Sequence, residues 1–125
     1  MATSRYDSSE LDAVLAGADL SAKVFYLANL DSSGELILAV NTGRVVGVIT
    51  EGAVEGKAAT YQTGGIAKVL VGSGGLTAGQ NVMSNANGEA VLAAGAGTHV
   101  VGVALKTAAA GTIGEVLLQA NRLHS

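Results

Sequence analysis

The chain contains no cysteine and no proline. Without cysteine, disulfides and thiol chemistry are excluded. Without proline, turns must be made by other residues, and 18 glycines are present to make them. Aromatic residues are scarce: Tyr6, Phe25, Tyr26 and Tyr61 are the full set. A small-ligand or sugar cleft lined by aromatics therefore has little to draw on. The 7 Lys and Arg residues form no cluster, and 10 acidic residues bring the net charge to −3. Nothing in that balance builds a surface that tracks phosphates, so no nucleic-acid partner is expected. No apolar run reaches the roughly 18 residues of a membrane helix, so no membrane partner is expected either. Met1-Ala2-Thr3-Ser4-Arg5-Tyr6 has no apolar core of the signal-peptide kind. These features predict a soluble protein, used inside a cell or in a particle assembled there.

Of the residues present, 49% are hydrophobic. With so few aromatics, burial rests on Val, Leu, Ile and Ala. Alanine removes little apolar area, and a buried CH₂ contributes only about 0.8 kcal/mol. The 125 residues fit one domain. A lone copy is expected to be modestly stable, and association with further copies would add burial.

The clearest pattern is a repeat. Arg44-Val45-Val46-Gly47-Val48 returns as His99-Val100-Val101-Gly102-Val103, a spacing of 55 residues (100 − 45). Gly56 falls on Gly111 at the same spacing. The repeat predicts a mainly β fold, a small barrel or sandwich of duplicated hairpins. Its halves should place Val45–Val48 and Val100–Val103 in equivalent strands. Gly47 and Gly102 should then lie in similarly tight surroundings.

Residues 1–22 are polar and acidic and differ in character from the rest of the chain. They read as an N-terminal arm, with the β domain spanning 23–125. Two conformations fit the arm. One is a short helix from Asp7 or Ser8 to Ala16, capped by Asp7 with Glu10 three residues on and ended by Gly17. Leu11, Val14 and Leu15 would then share one face. The other is an extended segment that orders against a partner. From Lys23 onward, strands are expected at Val24–Leu30, Glu35–Val40, Arg44–Thr50, Lys57–Gln62, Ile66–Val71, Gln80–Ser84, Glu89–Ala93, His99–Lys106 and Ile113–Gln119. Asp31-Ser32-Ser33-Gly34 and Asn85-Ala86-Asn87-Gly88 are the strongest turns. Phe25 and Tyr26 should point to opposite faces of their strand.

Catalytic constellations are missing. Gly52-Ala53-Val54-Glu55-Gly56-Lys57-Ala58 has three residues between its glycines where a phosphate loop needs four, and alanine stands at the magnesium-binding position. It reads as a turn, as does Gly72-Ser73-Gly74-Gly75. His99 and His124 have no surrounding carboxylate cluster, so no metal site is expected. Glu51 and Glu55 sit where solvated charges are common. Neither an enzyme nor a cofactor is expected.

The order of several segments resembles a known family. They are Ala18-Asp19-Leu20-Ser21-Ala22-Lys23-Val24-Phe25-Tyr26, Arg44–Val48, Gly65–Val71 with Leu76-Thr77-Ala78-Gly79-Gln80, and Val101–Leu105 with Gly111 and Glu115–Leu118. Together they are similar to the capsid decoration (cement) proteins of tailed bacteriophages. The resemblance implies a structural virion protein, made in the host bacterial cytoplasm. It implies a homotrimer that binds the major capsid protein on the outside of an expanded head, between capsomers. It also implies contacts from the N-terminal segment to the shell or a neighbouring subunit, for which Arg5, Tyr6, Leu11, Val14 and Leu15 are the candidates. The alternatives are another virion β module, of a tail tube or head fibre, or a small-ligand-binding β-barrel.

Overall fold

The computed structural model describes residues 11–95 and 98–123, the last four as backbone alone. All ten elements are strands. In chain order they are β1 Leu11–Leu15, β2 Leu27–Leu30, β3 Leu36–Leu38, β4 Gly47–Glu51 and β5 Ala58–Gln62, then β6 Ile66–Leu70, β7 Asn81–Ser84, β8 Ala90–Leu92, β9 His99–Ala104 and β10 Ile113–Leu123. They form two antiparallel five-stranded sheets, ordered β1-β5-β4-β2-β3 and β6-β10-β9-β7-β8. The two orders are the same path walked twice.

The repeat therefore extends over nearly the whole chain. Leu11 pairs with Gln62, and 55 residues on, Ile66 pairs with Leu117. Ala28 pairs with Leu38, and Val82 with Leu92, here at a spacing of 54 (82 − 28). The hairpin turns are built alike. Asp31 Oδ1 accepts the Ser33 and Glu35 amides at 2.9 and 3.0 Å. Asn85 Oδ1 accepts the Asn87 and Glu89 amides, both at 2.9 Å. Either side chain mimics a backbone turn, so the two residue types are interchangeable here.

Each sheet curls until its two end strands touch, through single parallel bridges at Ala16–Leu36 and Val71–Ala90. A single bridge is not a ladder, so neither sheet closes. The architecture is sandwich-like rather than a barrel, and strand twist supplies the curl. Inside the first sheet lie Ala16, Leu20, Ala28, Leu36, Ile49, Ala59 and Tyr61. A larger cluster fills the second sheet, from Ala67, Val69, Val71, Leu76, Val82, Ala90, Ala104 and Val116. Leu27 and Val48 of the first sheet, with Ala39 and Val45 from the segments beside its strands, complete the second cluster. Apart from Tyr61 the core is aliphatic and rich in alanine, as the composition implies.

Gly47 in β4 and Gly102 in β9 lie in equivalent places, although Val45 and Val46 precede β4 whereas Val100 and Val101 lie within β9. A Cβ on Gly47 would run into the backbone oxygen of Gln62, and one on Gly102 into that of Leu117. Gln62 and Leu117 are themselves equivalent (62 + 55), so the tight spot is one feature used twice.

Three expectations need correction. No helix forms in the described part of the N-terminal segment: Leu11–Leu15 is a strand, paired along its length with β5. Strand pairing supplies hydrogen bonds outside the segment, which outweigh a short helix that is marginal in water. Residues 1–10 lie outside the described residues. Second, Phe25 and Tyr26 precede β2 rather than alternating within it. Phe25 has φ 75°, the left-handed region, at the place where the second unit has Gly79 with φ 84°. The Phe25 and Gly79 amides donate to the equivalent carbonyls of Ile49 and Ala104. Third, β10 runs past Gln119 and pairs its end with His99 and Val100.

Candidate functional site

The strand at Leu11–Leu15 redistributes the residues proposed for contact. Strand alternation puts Leu11, Ala13 and Leu15 on one face and Asp12 and Val14 on the other. Leu11 is 59% exposed and Leu15 48%. Val14 turns inward and packs on the first core cluster. Asp12 stays exposed at the edge, where its Oδ2 accepts the Tyr61 hydroxyl at 3.3 Å. Leu11 and Leu15 thus form an apolar outer face, while Val14 serves the core. Arg5 and Tyr6 lie outside the described residues.

The second unit carries a matching face, which sequence reasoning does not single out. Ile66 is the counterpart of Leu11 and is 51% exposed. Its cross-strand partner Leu117 and the nearby Ile113 are exposed as well. Between them, Lys68 pairs across the ladder with Glu115, and Glu115 also meets Lys106 at 3.8 Å. Such surface charge pairs contribute little energy, but they divide the apolar strip. A signal for this face does exist: Ile66 is the apolar end of an alternation in which Ala67 and Val69 take the buried positions.

Edge strands matter here because their outward amides and carbonyls are templates for pairing. Ala16 donates to the Lys57 carbonyl, which fixes the hydrogen-bonding phase of β1. Leu11, Ala13 and Leu15 then direct their amides away from β5, and that of Ala13 donates to Asp12 Oδ1 at 2.8 Å. In the second unit the counterpart of Leu15 is Leu70, and its amide donates to the Phe25 carbonyl of the first unit at 2.9 Å.

Other chemistry is sparse among the described residues. No group of three His, Asp or Glu side chains converges on a metal-sized space there. His99 stands 3.4 Å from the Thr42 carbonyl through Nδ1. Glu51 accepts the Thr60 hydroxyl at 3.2 Å, so it helps pin β5 to β4. A cavity of about 60 Å³ lies where the units meet, lined by Val45, Val46, Thr63, Val101 and Leu118. That is far below the roughly 300–1,000 Å³ of a small-molecule site.

Burial raises the Tyr61 phenol above its ordinary 10.0, and the nearby Asp12 carboxylate adds to the shift. The folded chain holds that proton more tightly than the unfolded chain. Its stabilising contribution is fully present below about pH 10 and is lost as pH rises through the folded value. Tyr61→Phe should therefore flatten the alkaline limb of a plot of melting temperature against pH. An unchanged alkaline limb would mean that another group sets it.

A family model described as "phage cement protein" matches residues 11–119. No curated protein matches the chain significantly. Among solved structures, the base of the head fibre gp8.5 of bacteriophage phi29 is similar at 18% identity and a TM-score of 0.69, covering 92% of this chain and 99% of that one. At so low an identity the likeness is one of fold.

Proposed function

The chain belongs to the phage cement protein family, and from that premise we propose that it binds the outside of an expanded phage head as a trimer and stabilises the shell between capsomers. The major capsid protein is its partner in this reading. Family membership over 109 residues (119 − 11 + 1) carries the proposal. The surface supports it. Leu11 and Leu15 on one unit, and Ile66, Ile113 and Leu117 on the other, present apolar side chains on rigid, paired strands. Apolar residues on a fixed scaffold are suited to a partner surface, because little ordering entropy is lost on docking.

The test is co-sedimentation with expanded and unexpanded heads. The protein should pellet with expanded heads and saturate at a fixed ratio. Leu11→Asp and Ile66→Asp should each weaken binding at least tenfold, since a charge would be desolvated in the contact. Light scattering on the same variants separates loss of attachment from loss of the trimer. Equal binding to both head forms, or full binding by both variants, would sink the assignment of these faces.

A second reading has one observation in its favour. The fold likeness covers 99% of a head-fibre base. In that reading the same two-unit body anchors a projecting element to the head. Micrographs of decorated heads would show projections beyond the compact density expected of a cement protein.

A further inference from the structure

The two units are equivalent in path but not in surroundings, and the differences are systematic. The open seam of the second sheet lies between β6 and the β7–β8 turn. The first unit covers it. Leu70 donates to the Phe25 carbonyl, Leu27 donates to the Gly88 carbonyl at 2.7 Å, and Thr42 donates to the Ser84 carbonyl at 3.0 Å. Leu27, Ala39, Val45 and Val48 complete the core behind that seam. Val69, Ser84 and Gly88 are buried as a result.

The same seam on the first unit has no such cover among the described residues. Val14, Leu30 and Gly34 are the counterparts of Val69, Ser84 and Gly88, and they are half-buried, half-buried and exposed. A Cβ on Gly88 would touch Leu27 and Leu38, whereas one on Gly34 would meet nothing within 4 Å. The covering surface shows the opposite imbalance. Leu27, Ala39 and Val48 are buried, while their counterparts Asn81, Ala93 and Val103 on the second unit are half-exposed. Val100, the counterpart of Val45, is already buried, and the end of β10 pairs with it.

Among the described residues, one chain therefore carries one uncovered seam and one spare covering surface of the kind that fit together within it. The contact is head-to-tail rather than symmetric, because two different surfaces meet in it: the seam beside Gly34 on one copy and the covering surface of the second unit on the other. Head-to-tail contacts close into rings when the rotation permits. We infer that the trimer is a ring of six alternating units, in which the second unit of each copy covers the seam of the first unit of the next copy. The junction between copies then repeats the junction within the chain. This rests on the trimer reading above and adds where the subunits meet.

The absence of cysteine makes cross-linking a clean test. Within the chain, a Cβ at Gly88 would lie 3.5 Å from the Leu38 Cβ, a separation that suits a disulfide. The counterpart pair across the inferred junction is Gly34 and Leu92. The variant carrying both Gly34→Cys and Leu92→Cys should oxidise to a covalent species of about three times 12.3 kDa. Gly34→Cys alone and Leu92→Cys alone should stay monomeric on a non-reducing denaturing gel. The variant with both Gly88→Cys and Leu38→Cys should close within one chain, which verifies the template geometry. A trimer by light scattering whose double variant stays uncross-linked overturns the ring while leaving the trimer standing. A seam filled by the chain's own first ten residues, or by the shell, would give that result. A covalent dimer from either single variant means like-to-like contact and also overturns it. A wild-type monomer removes the trimer reading itself.

Discussion

Gly47→Ala and Gly102→Ala are each expected to abolish folding of the isolated chain. A Cβ at either position would enter the space of a backbone oxygen, that of Gln62 or of Leu117. It would also press a side chain of the preceding residue, with Tyr61 Cδ2 or Val116 Cγ1 at 2.9 Å. Real Cβ atoms do not come that close, so the backbone itself must move. In each case the oxygen belongs to the strand that forms the middle of its sheet's β1-β5-β4 or β6-β10-β9 run. Moving it breaks ladders on both sides. Ordinary overpacking costs about 1–3 kcal/mol, and displacing a central strand should cost more, about 4 kcal/mol or above. A domain of this size has a total stability of only about 5–15 kcal/mol. Circular dichroism and thermal melts read the outcome. The two variants should fail to similar degrees, because the two sites are the same feature. A melting temperature within a few degrees of wild type for either would show that the strands have slack.

The strand positions are legible in the sequence because alternation and glycine-rich turns are local signals. All nine expected strands correspond to elements of the structure, with ends that differ by a few residues, and β1 is the one strand not among them. The N-terminal segment misleads for a definite reason. Leu11, Val14 and Leu15 fit helical spacing, and nothing in the segment itself reports the five pairings with Gln62–Ala58 that hold it as a strand. The repeat is visible in sequence as five residues, yet it spans two full units. Most of its equivalent pairs differ in chemistry while sharing geometry. Asp31 and Asn85 make the same turn. Phe25 and Gly79 share a left-handed backbone. Leu27 and Asn81 share a register and differ in burial. Identity has faded where the fold has not. The docking surfaces are the least legible. Whether Val14 or Val69 is covered depends on which of two equivalent seams has a neighbour, and a sequence carries both seams without saying so.

Truncation separates attachment from folding, and the place of the cut decides the result. Deleting residues 1–10 is expected to leave the fold intact, because it removes none of the described β1 pairings, Leu11–Leu15 with Gln62–Ala58. Deleting residues 1–22 should not. That cut removes β1 and with it the Ala16–Leu36 bridge that joins the ends of the first sheet. It also removes Ala16 and Leu20, which are at most 1% exposed. A Cβ on Gly52 would collide with the Leu20 backbone oxygen, which shows how closely that segment lies against the sheet. Losing one buried leucine side chain alone costs about 2–5 kcal/mol. Losing an edge strand as well should unfold the first unit, and the second unit would then lose the cover that Leu27, Ala39, Val45 and Val48 give its core. We therefore place the end of any separable arm before Leu11. The shorter deletion, carrying Arg5 and Tyr6 with it, is the one that tests attachment. It should melt within a few degrees of the full chain and bind expanded heads more weakly in co-sedimentation. Undiminished binding would remove Arg5 and Tyr6 from the contact and leave the strand faces of Leu11 and Ile66 to carry it. A well-folded product of the longer deletion would show instead that the first sheet stands on four strands.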